Sequence, residues 1–369
     1  MDLENMSIIE YGSTTSSYHF TGPGPGPTTS LDSQQSLTGV TLIAITAVLS
    51  IVCNILNLII LPHLAELNEA SRVFYMSLAV VDLATGILLL PMSVAAVGGE
   101  WPFGNPLCKA LGYFLTVTTG LSSSTVFYLN VDRFIAVTRP LRYASLVNRK
   151  RAIATMVSQT FGTFIILFFV LYFAGDRFNI IVYREFGVCL VDFSQPYFAP
   201  YTIFSFAISM WMYAILLLIF YVLMLHIVRR HARTIASQAA VAMVNASTVR
   251  SESQTRTTEQ FQKDVERAEK LARHMRHRGL MKSVILTVSI AGAFYIAWLP
   301  FTICEVVAAV RGKRIPLNIM ELVSKLTLCN GWLNTVIYLL LKATYRHAVA
   351  EFVRKTWKGL WNHRRADVF

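Results

Sequence analysis

Asp132 and Arg133 are adjacent opposite charges, followed by Phe134, at one end of a long apolar run. A charged side chain in hydrocarbon costs about 2.5–3.5 kcal/mol on insertion scales, so each one asks for a partner. A pair that opens and closes at a membrane face is a charge switch, and that is the chemistry these two residues offer. Other polar residues interrupt the apolar runs: Asn54, Asp82, Ser122, Ser123, Asn330 and Asn334. Asn330 and Asn334 are four apart and share a helix face. Asp82 with oxygen donors from Ser122, Asn330 and Asn334 suits a small hard cation, which takes oxygen ligands. The same side chains also suit a hydrogen-bonded packing network without an ion, and the residues alone leave both readings open. Phe294 and Trp298 are again four apart, and Pro300 removes a helix hydrogen bond just beyond them. A kink beside a bulky indole makes a lever or simple packing.

Long helices must position these groups, and the composition supplies them. The chain has 369 residues, 54% hydrophobic and only 15% charged, too apolar for a soluble domain of that size. Crossing about 30 Å of hydrocarbon takes roughly 20 residues of helix. Seven apolar runs reach that length, near 38–63, 72–98, 106–138, 152–174, 197–228, 280–310 and 316–341. The predicted fold is an all-α membrane protein, a seven-transmembrane helix bundle with a short amphipathic eighth helix. It divides into a disordered extracellular tail (1–37), a membrane domain (38–342) with a flexible cytosolic loop at 230–279, and an amphipathic helix with a short tail (343–369). Residues 264–271 carry helix formers and i,i+4 charge pairs, which extend the sixth helix inward. In the last segment Tyr345, Val349, Phe352, Val353 and Trp357 form an apolar stripe, with Arg346, Arg354, Lys355 and Lys358 available to lipid headgroups.

The net charge of +12 is unevenly spread. Residues 1–40 hold no Lys or Arg, whereas Arg139, Arg142, Arg149, Lys150 and Arg151 crowd one loop and most of the rest lie in 229–282 and after Lys342. This is the positive-inside pattern, with the N-terminus extracellular and the chain multi-pass in the plasma membrane. It argues against nucleic acid as a partner. A basic start and apolar core of a cleavable signal are missing from the first 30 residues, so the first membrane helix is expected to act as the anchor. Asn5-Met6-Ser7 is a glycosylation acceptor in the tail. Cys108 and Cys189 both fall on the oxidising side and are expected to form a disulfide.

The motifs follow in order: Asn54, then Leu78-Ala79-Val80-Val81-Asp82, Trp101-Pro102-Phe103-Gly104, Asp132-Arg133-Phe134, Pro140-Leu141-Arg142-Tyr143, Ala297-Trp298-Leu299-Pro300 and Asn334-Thr335-Val336-Ile337-Tyr338. With these, and with Cys108 and Cys189, the chain resembles the rhodopsin-like (class A) G protein-coupled receptors over about 40–357. The resemblance implies a sodium site at Asp82, Ser122, Trp298, Asn330 and Asn334, with sodium an allosteric modulator and no cofactor required. It implies that Asp132 holds Arg133 at rest and that activation frees Arg133 to meet a Gα subunit. Tyr221, Asn334 and Tyr338 would support it, Leu141 would insert into the G protein, Phe294, Trp298 and Pro300 would form the toggle, and helix six would move outward. The departures are Phe134 for Tyr, Thr335 for the helix-seven Pro, Thr160-Phe161 where helix four usually has Trp, Tyr213 for the helix-five Pro and Ser123 for a bulky aliphatic. Leu280 stands at the acidic position of helix six, so no salt bridge from there restrains Arg133, and ligand-free signalling is expected.

The resemblance places a ligand pocket among Leu115, Thr116, Thr119, Ser205, Ser209, Phe301, Thr302, Glu305 and Ser324. The scaffold is amine- or adenosine-receptor-like, yet Leu115 stands where amine receptors carry the Asp that pairs with the ligand. A buried cation there would lack its counter-ion. Glu305 either receives a ligand cation instead or is a rim charge. The expected partners are a heterotrimeric G protein, an extracellular small molecule or peptide, membrane lipid, and arrestin through the Ser/Thr-rich third cytosolic loop. A non-visual opsin is the main alternative, but the retinal Lys position is Leu328 and Lys325 lies one turn too far out. A seven-helix transporter would show inverted repeats and broken helices at the midplane, and neither is read here. No nucleophile–base constellation survives this topology, so the chain is not expected to be an enzyme.

Overall fold

The computed structural model describes residues 30–98, 101–174, 180–183, 188–191, 211–227, 258–311 and 315–366. Asn5, Ser205, Ser209 and the Ser/Thr-rich part of the third cytosolic loop lie outside the described residues. α1 spans Ser30–Ile60, starting eight residues before the boundary expected from the sequence. Pro27 is the last proline ahead of Pro62, so no ring blocks the earlier start. Pro62 then sits in a 3-10 turn, Leu61–His63. α2 spans Glu69–Gly98. Its first turn is capped by Asn68, whose Oδ1 accepts the Ser71 amide at 2.8 Å. α3 spans Gly104–Thr138. Gly104 has φ +75°, a left-handed conformation that favours glycine, and its carbonyl accepts the Trp101 indole N–H at 2.8 Å. α4 (Tyr143–Leu146) is a single turn, and α5 spans Arg149–Ala174 with Asn148 as its cap.

β1 (Ile180–Tyr183) and β2 (Val188–Val191) form an antiparallel hairpin with Val182 opposite Cys189. The helix-only reading had not anticipated it, although both segments are rich in β-branched residues. Cys189 is bonded to Cys108 as expected, Cα–Cα 5.4 Å, which ties the hairpin to the start of α3. Then come α6 (Trp211–Ile227) and α7 (Thr258–Arg311), which contains Pro300. α7 reaches well past the sixth apolar run, as the helix formers at 264–271 suggested. The seventh run is two helices, α8 (Leu317–Leu328) and α9 (Asn330–Leu341), where one unbroken helix was expected. The break at Cys329 precedes Asn330-Gly331, two poor helix formers in sequence. α10 covers Ala343–Ala366.

α1, α2, α3, α5, α6 and α7 are thus membrane helices one to six, and α8 with α9 is the seventh. Thr41–His63, Glu69–Ala95, Arg149–Phe169 and Met281–Arg311 are each long and apolar enough to cross a membrane. The protein is a seven-transmembrane bundle. One apolar cluster, including Tyr75, Leu78, Leu129, Ile290, Phe294 and Tyr338, fills the half nearer Arg133. A second, with Ile43, Met92, Leu111 and Leu115, surrounds the disulfide. Val97, Ile296, Leu322 and Leu340 instead face outward, at 73%, 70%, 70% and 70% exposure. Such a belt suits hydrocarbon as its solvent.

Helix one packs tightly against its neighbours. A Cβ on Gly86 would lie 2.9 Å from Ser50 Cβ, 3.0 Å from Ile51 Cγ1 and 3.1 Å from the Ile51 backbone nitrogen. The Gly86→Ala variant is therefore expected to lose about 1–3 kcal/mol of stability through overpacking. A lower thermal midpoint of the purified protein in detergent would show it; an unchanged midpoint would mean that α1 and α2 separate freely.

Candidate functional site

The Arg133 side chain is held by three elements. Its Nη2 and Nε donate to Asp132 Oδ2 at 2.6 and 3.1 Å. Its Nη1 donates to Ser283 Oγ on α7 at 2.7 Å, and its Nη2 also donates to Ser71 Oγ on α2. Asp132 is saturated in turn: Ser71 Oγ donates to Oδ2 at 2.7 Å and the Tyr143 phenol donates to Oδ1 at 2.5 Å. Asn68 Nδ2 donates to that phenol at 2.8 Å. Burial pushes the Tyr143 phenol up to about 12, and the neighbouring Asp132 carboxylate adds to the effect. Tyr143 therefore keeps its proton and remains a donor at physiological pH. Asp132 and Arg133 are both buried, which a pair tolerates only with its remaining hydrogen-bonding groups satisfied.

The surrounding residues pack closely around the Asp132–Arg133 pair. Tyr221 on α6 donates its phenol hydrogen to Asn130 Oδ1 on α3. Phe134 stacks on Phe220, centroids 4.3 Å apart. Tyr338 is buried edge-on against Tyr75 at 5.8 Å. Leu141 stands out from the loop at 93% exposure, an apolar side chain that none of the described residues covers. Sequence reasoning missed Ser71, Asn130 and Ser283. For Ser283 a signal existed: it lies three positions after Leu280, on the same helix face.

Deeper in the bundle, Ser122 Oγ donates to Asp82 Oδ1 at 3.1 Å and Asn334 Nδ2 donates to Asp82 Oδ2 at 2.9 Å. Asp82, Ser122, Asn330 and Asn334 are all buried. Trp298 stacks on Phe294 at 6.0 Å and meets Phe301 edge-on at 5.9 Å, and its buried Nε1 has no hydrogen-bond partner among the described residues. The hydrogen bonds thus join three of the five predicted cluster members, with Asn330 one turn from Asn334.

Toward the disulfide, Leu115 packs with Met92, Leu111, Cys108 and Cys189. Phe301 packs with Met320 and Val323. Glu305 is buried, and Thr119 and Ser324 are half-buried. Two predicted pocket hydroxyls are engaged by their own helices: Thr116 donates to the Gly112 carbonyl at 2.9 Å and Thr302 to the Trp298 carbonyl at 2.9 Å.

Two departures from the family pattern are compensated. Tyr213, in place of the helix-five proline, stacks on Phe127 at 4.6 Å. Where helix four lacks its tryptophan, Gln159 Nε2 donates to Ser124 Oγ at 2.5 Å and to the Leu121 carbonyl at 3.2 Å. The predicted apolar stripe on α10 divides. Tyr345 is fully buried and bonded to Asn57, while Val353 and Trp357 are exposed. Its hydroxyl explains the correction, since a phenol turned inward finds an amide there.

Residues 53–338 match the family described as 7 transmembrane receptor (rhodopsin family). The chain belongs to that family. The receptor is 27% identical over 209 residues to the histamine H1 receptor of Pongo pygmaeus, a match covering 56% of this chain and 42% of that one. It thus spans less than half the length of that relative. It is 22% identical over 347 residues to the 5-hydroxytryptamine receptor 6 of Mus musculus, covering 94% and 76%. It is 25% identical over 309 residues to the trace amine-associated receptor 7h of Rattus norvegicus, covering 82% and 78%. The crystal structure of squid rhodopsin superimposes with a TM-score of 0.70 at 15% identity, covering 88% of this chain and 87% of that one, which shows the shared fold. The family is one of receptors, not enzymes.

Proposed function

We propose that the receptor binds an extracellular ligand and activates heterotrimeric G proteins by promoting nucleotide exchange on Gα. The observation that supports this best is the bond from Arg133 to Ser283. It ties α3 to α7, so any outward movement of α7 must break it and leave Arg133 free to meet a partner. Ligand binding would favour the open state and shift its population. Tyr221 would leave Asn130, Tyr338 would leave Tyr75, and Leu141 would enter an apolar recess of the G protein.

The oxygen atoms of Asp82, Ser122 and Asn334 fit a sodium ion, because Asn334 bonds Asp82 through its nitrogen and leaves its Oδ1 to ligate. A bound sodium would neutralise Asp82 and stabilise the resting bundle. Membrane orientation follows the charge pattern, with the N-terminus extracellular and the basic loops cytosolic. Arrestin would engage the third cytosolic loop, and Val353 and Trp357 would seat α10 on lipid.

The relatives are named for histamine, 5-hydroxytryptamine and trace amines. Leu115 argues against a pocket that holds an amine at that position, and a cationic ligand would turn to Glu305. The test is cAMP and calcium in cells expressing the receptor, without ligand and then across amines, purines, peptides and lipids. Ligand-free signal above mock-transfected cells is expected. Silence in every arm, with surface expression confirmed, would count against coupling.

A further inference from the structure

Thr335 stands where the family carries a proline in its helix-seven motif, and it is completely engaged. Its Oγ1 accepts a hydrogen from Asn57 Nδ2 at 2.8 Å and donates to the Cys53 carbonyl at 3.4 Å. A proline could do neither. Asn57 gives its second amide hydrogen to Asn54 Oδ1 at 3.2 Å, and its own Oδ1 accepts the Tyr345 phenol at 2.7 Å. Asn54 donates to the carbonyls of Ser50 at 2.8 Å and Gly331 at 2.7 Å. One chain of hydrogen bonds therefore joins α9 and α10 through α1. Asn54, Asn57, Thr335 and Tyr345 are 0%, 1%, 1% and 0% exposed. Both amide hydrogens and the carbonyl of Asn57 are used. A fully satisfied network at low dielectric is stiff, and losing one member leaves the others unpaired.

The backbone matches this arrangement. The helix-seven break lies at Cys329, and α9 runs uninterrupted from Asn330 to Leu341. Tyr338 and Thr335 therefore ride on one rod. That rod turns at Lys342 directly into α10, and Tyr338 lies 5.5 Å from the Tyr345 ring.

We propose that Asn57 and Thr335 are positioning residues, forming a polar clasp that fixes α9 and α10 against α1 and holds Tyr338 in its resting place. The clasp takes over the role that a proline kink plays at this position in the family. The link to signalling rests on the coupling proposed above.

The experiment uses the full chain carrying Asn57→Val, Thr335→Val or Tyr345→Phe, the last being a near-isosteric loss of one bond. The first readout is geometric. Spin labels at Ala65→Cys and Val353→Cys, both exposed, report the separation of α10 from the α1–α2 loop in receptor purified into lipid nanodiscs. Cys53, Cys304 and Cys329 are alanine in that background. The second readout is ligand-free signalling per receptor at the cell surface. The expected result is a broadened label distance in all three variants. Signalling should rise about three- to tenfold, the range one buried hydrogen bond gives a two-state equilibrium. Asn57→Val combined with Thr335→Val should exceed neither single variant. A loss confined to folding would lower the signal, not raise it. Unchanged distances in all three variants would overturn the clasp whatever the signal does. Broadened distances in the variants, with a wild type that never signals, would uphold the clasp and remove the coupling reading. Broadened distances with an unaltered signal, in a wild type that does signal, would overturn the link to Tyr338.

Discussion

Ser283→Asp is expected to lower ligand-free signalling about tenfold, and Ser283→Ala to raise it, at equal surface expression. The argument rests on one contact. Arg133 Nη1 meets Ser283 Oγ at 2.7 Å, and the α7 position where the family carries an acid holds Leu280. The resting lock on helix six is thus a charge–neutral hydrogen bond. Hydrogen bonds to charged groups are worth about 1.5–3 kcal/mol and neutral ones about 0.5–1.5. A carboxylate at position 283 would make both partners charged and shorten the bond. Strengthening by about 1.4 kcal/mol corresponds to the tenfold shift. Removing the hydroxyl leaves Arg133 with Asp132 and Ser71 only, so α7 swings out more readily. Arg133→Ala should abolish the signal in either background, since it deletes the group proposed to meet the G protein. Equal signalling from wild type, Ser283→Asp and Ser283→Ala would mean that the α3–α7 bond does not limit opening.

These expectations also refine one drawn from the sequence. Leu280 alone suggested an unrestrained Arg133, and Ser283 supplies a weaker restraint one turn on. The seven apolar runs were legible because membrane helices must be long and continuous in hydrophobicity. The disulfide was legible because Cys108, at the outer end of helix three, and Cys189, in the loop after helix four, both fall on the side that the charge pattern marks as oxidising. The details that set the switch were not. Ser71 and Ser283 meet Arg133 from 62 and 150 residues away, and a serine in a membrane helix bonds its own backbone as readily as another helix. Thr116, Thr125 and Thr302 do the former. The break at Cys329 was masked by the apolar run on both sides. Tyr345 fits an apolar stripe by its ring, and only the fold shows its hydroxyl facing Asn57.

Asp82→Asn is expected to remove the receptor's response to sodium. In the wild type, replacing sodium by N-methylglucamine should raise ligand-free signalling, because the proposed ion would bind the resting bundle and not the open one. Selective binding stabilises a state by RT ln(1 + [L]/Kd), so sodium at roughly ten times its Kd gives about a tenfold shift. Asp82 is 2% exposed, and among the described residues its two oxygens meet neutral donors, Ser122 and Asn334. An uncompensated carboxylate at that depth is costly. A cation relieves that cost only while the carboxylate is there, which is why the amide variant should signal equally in both salts. The alternative left open by the residues, a packing network without an ion, predicts a different pattern. Wild type and Asp82→Asn would then be equally indifferent to sodium, and the variant would differ only through its altered hydrogen bonds to Ser122 and Asn334. Comparing the four combinations of receptor and salt separates an ion site from a polar core.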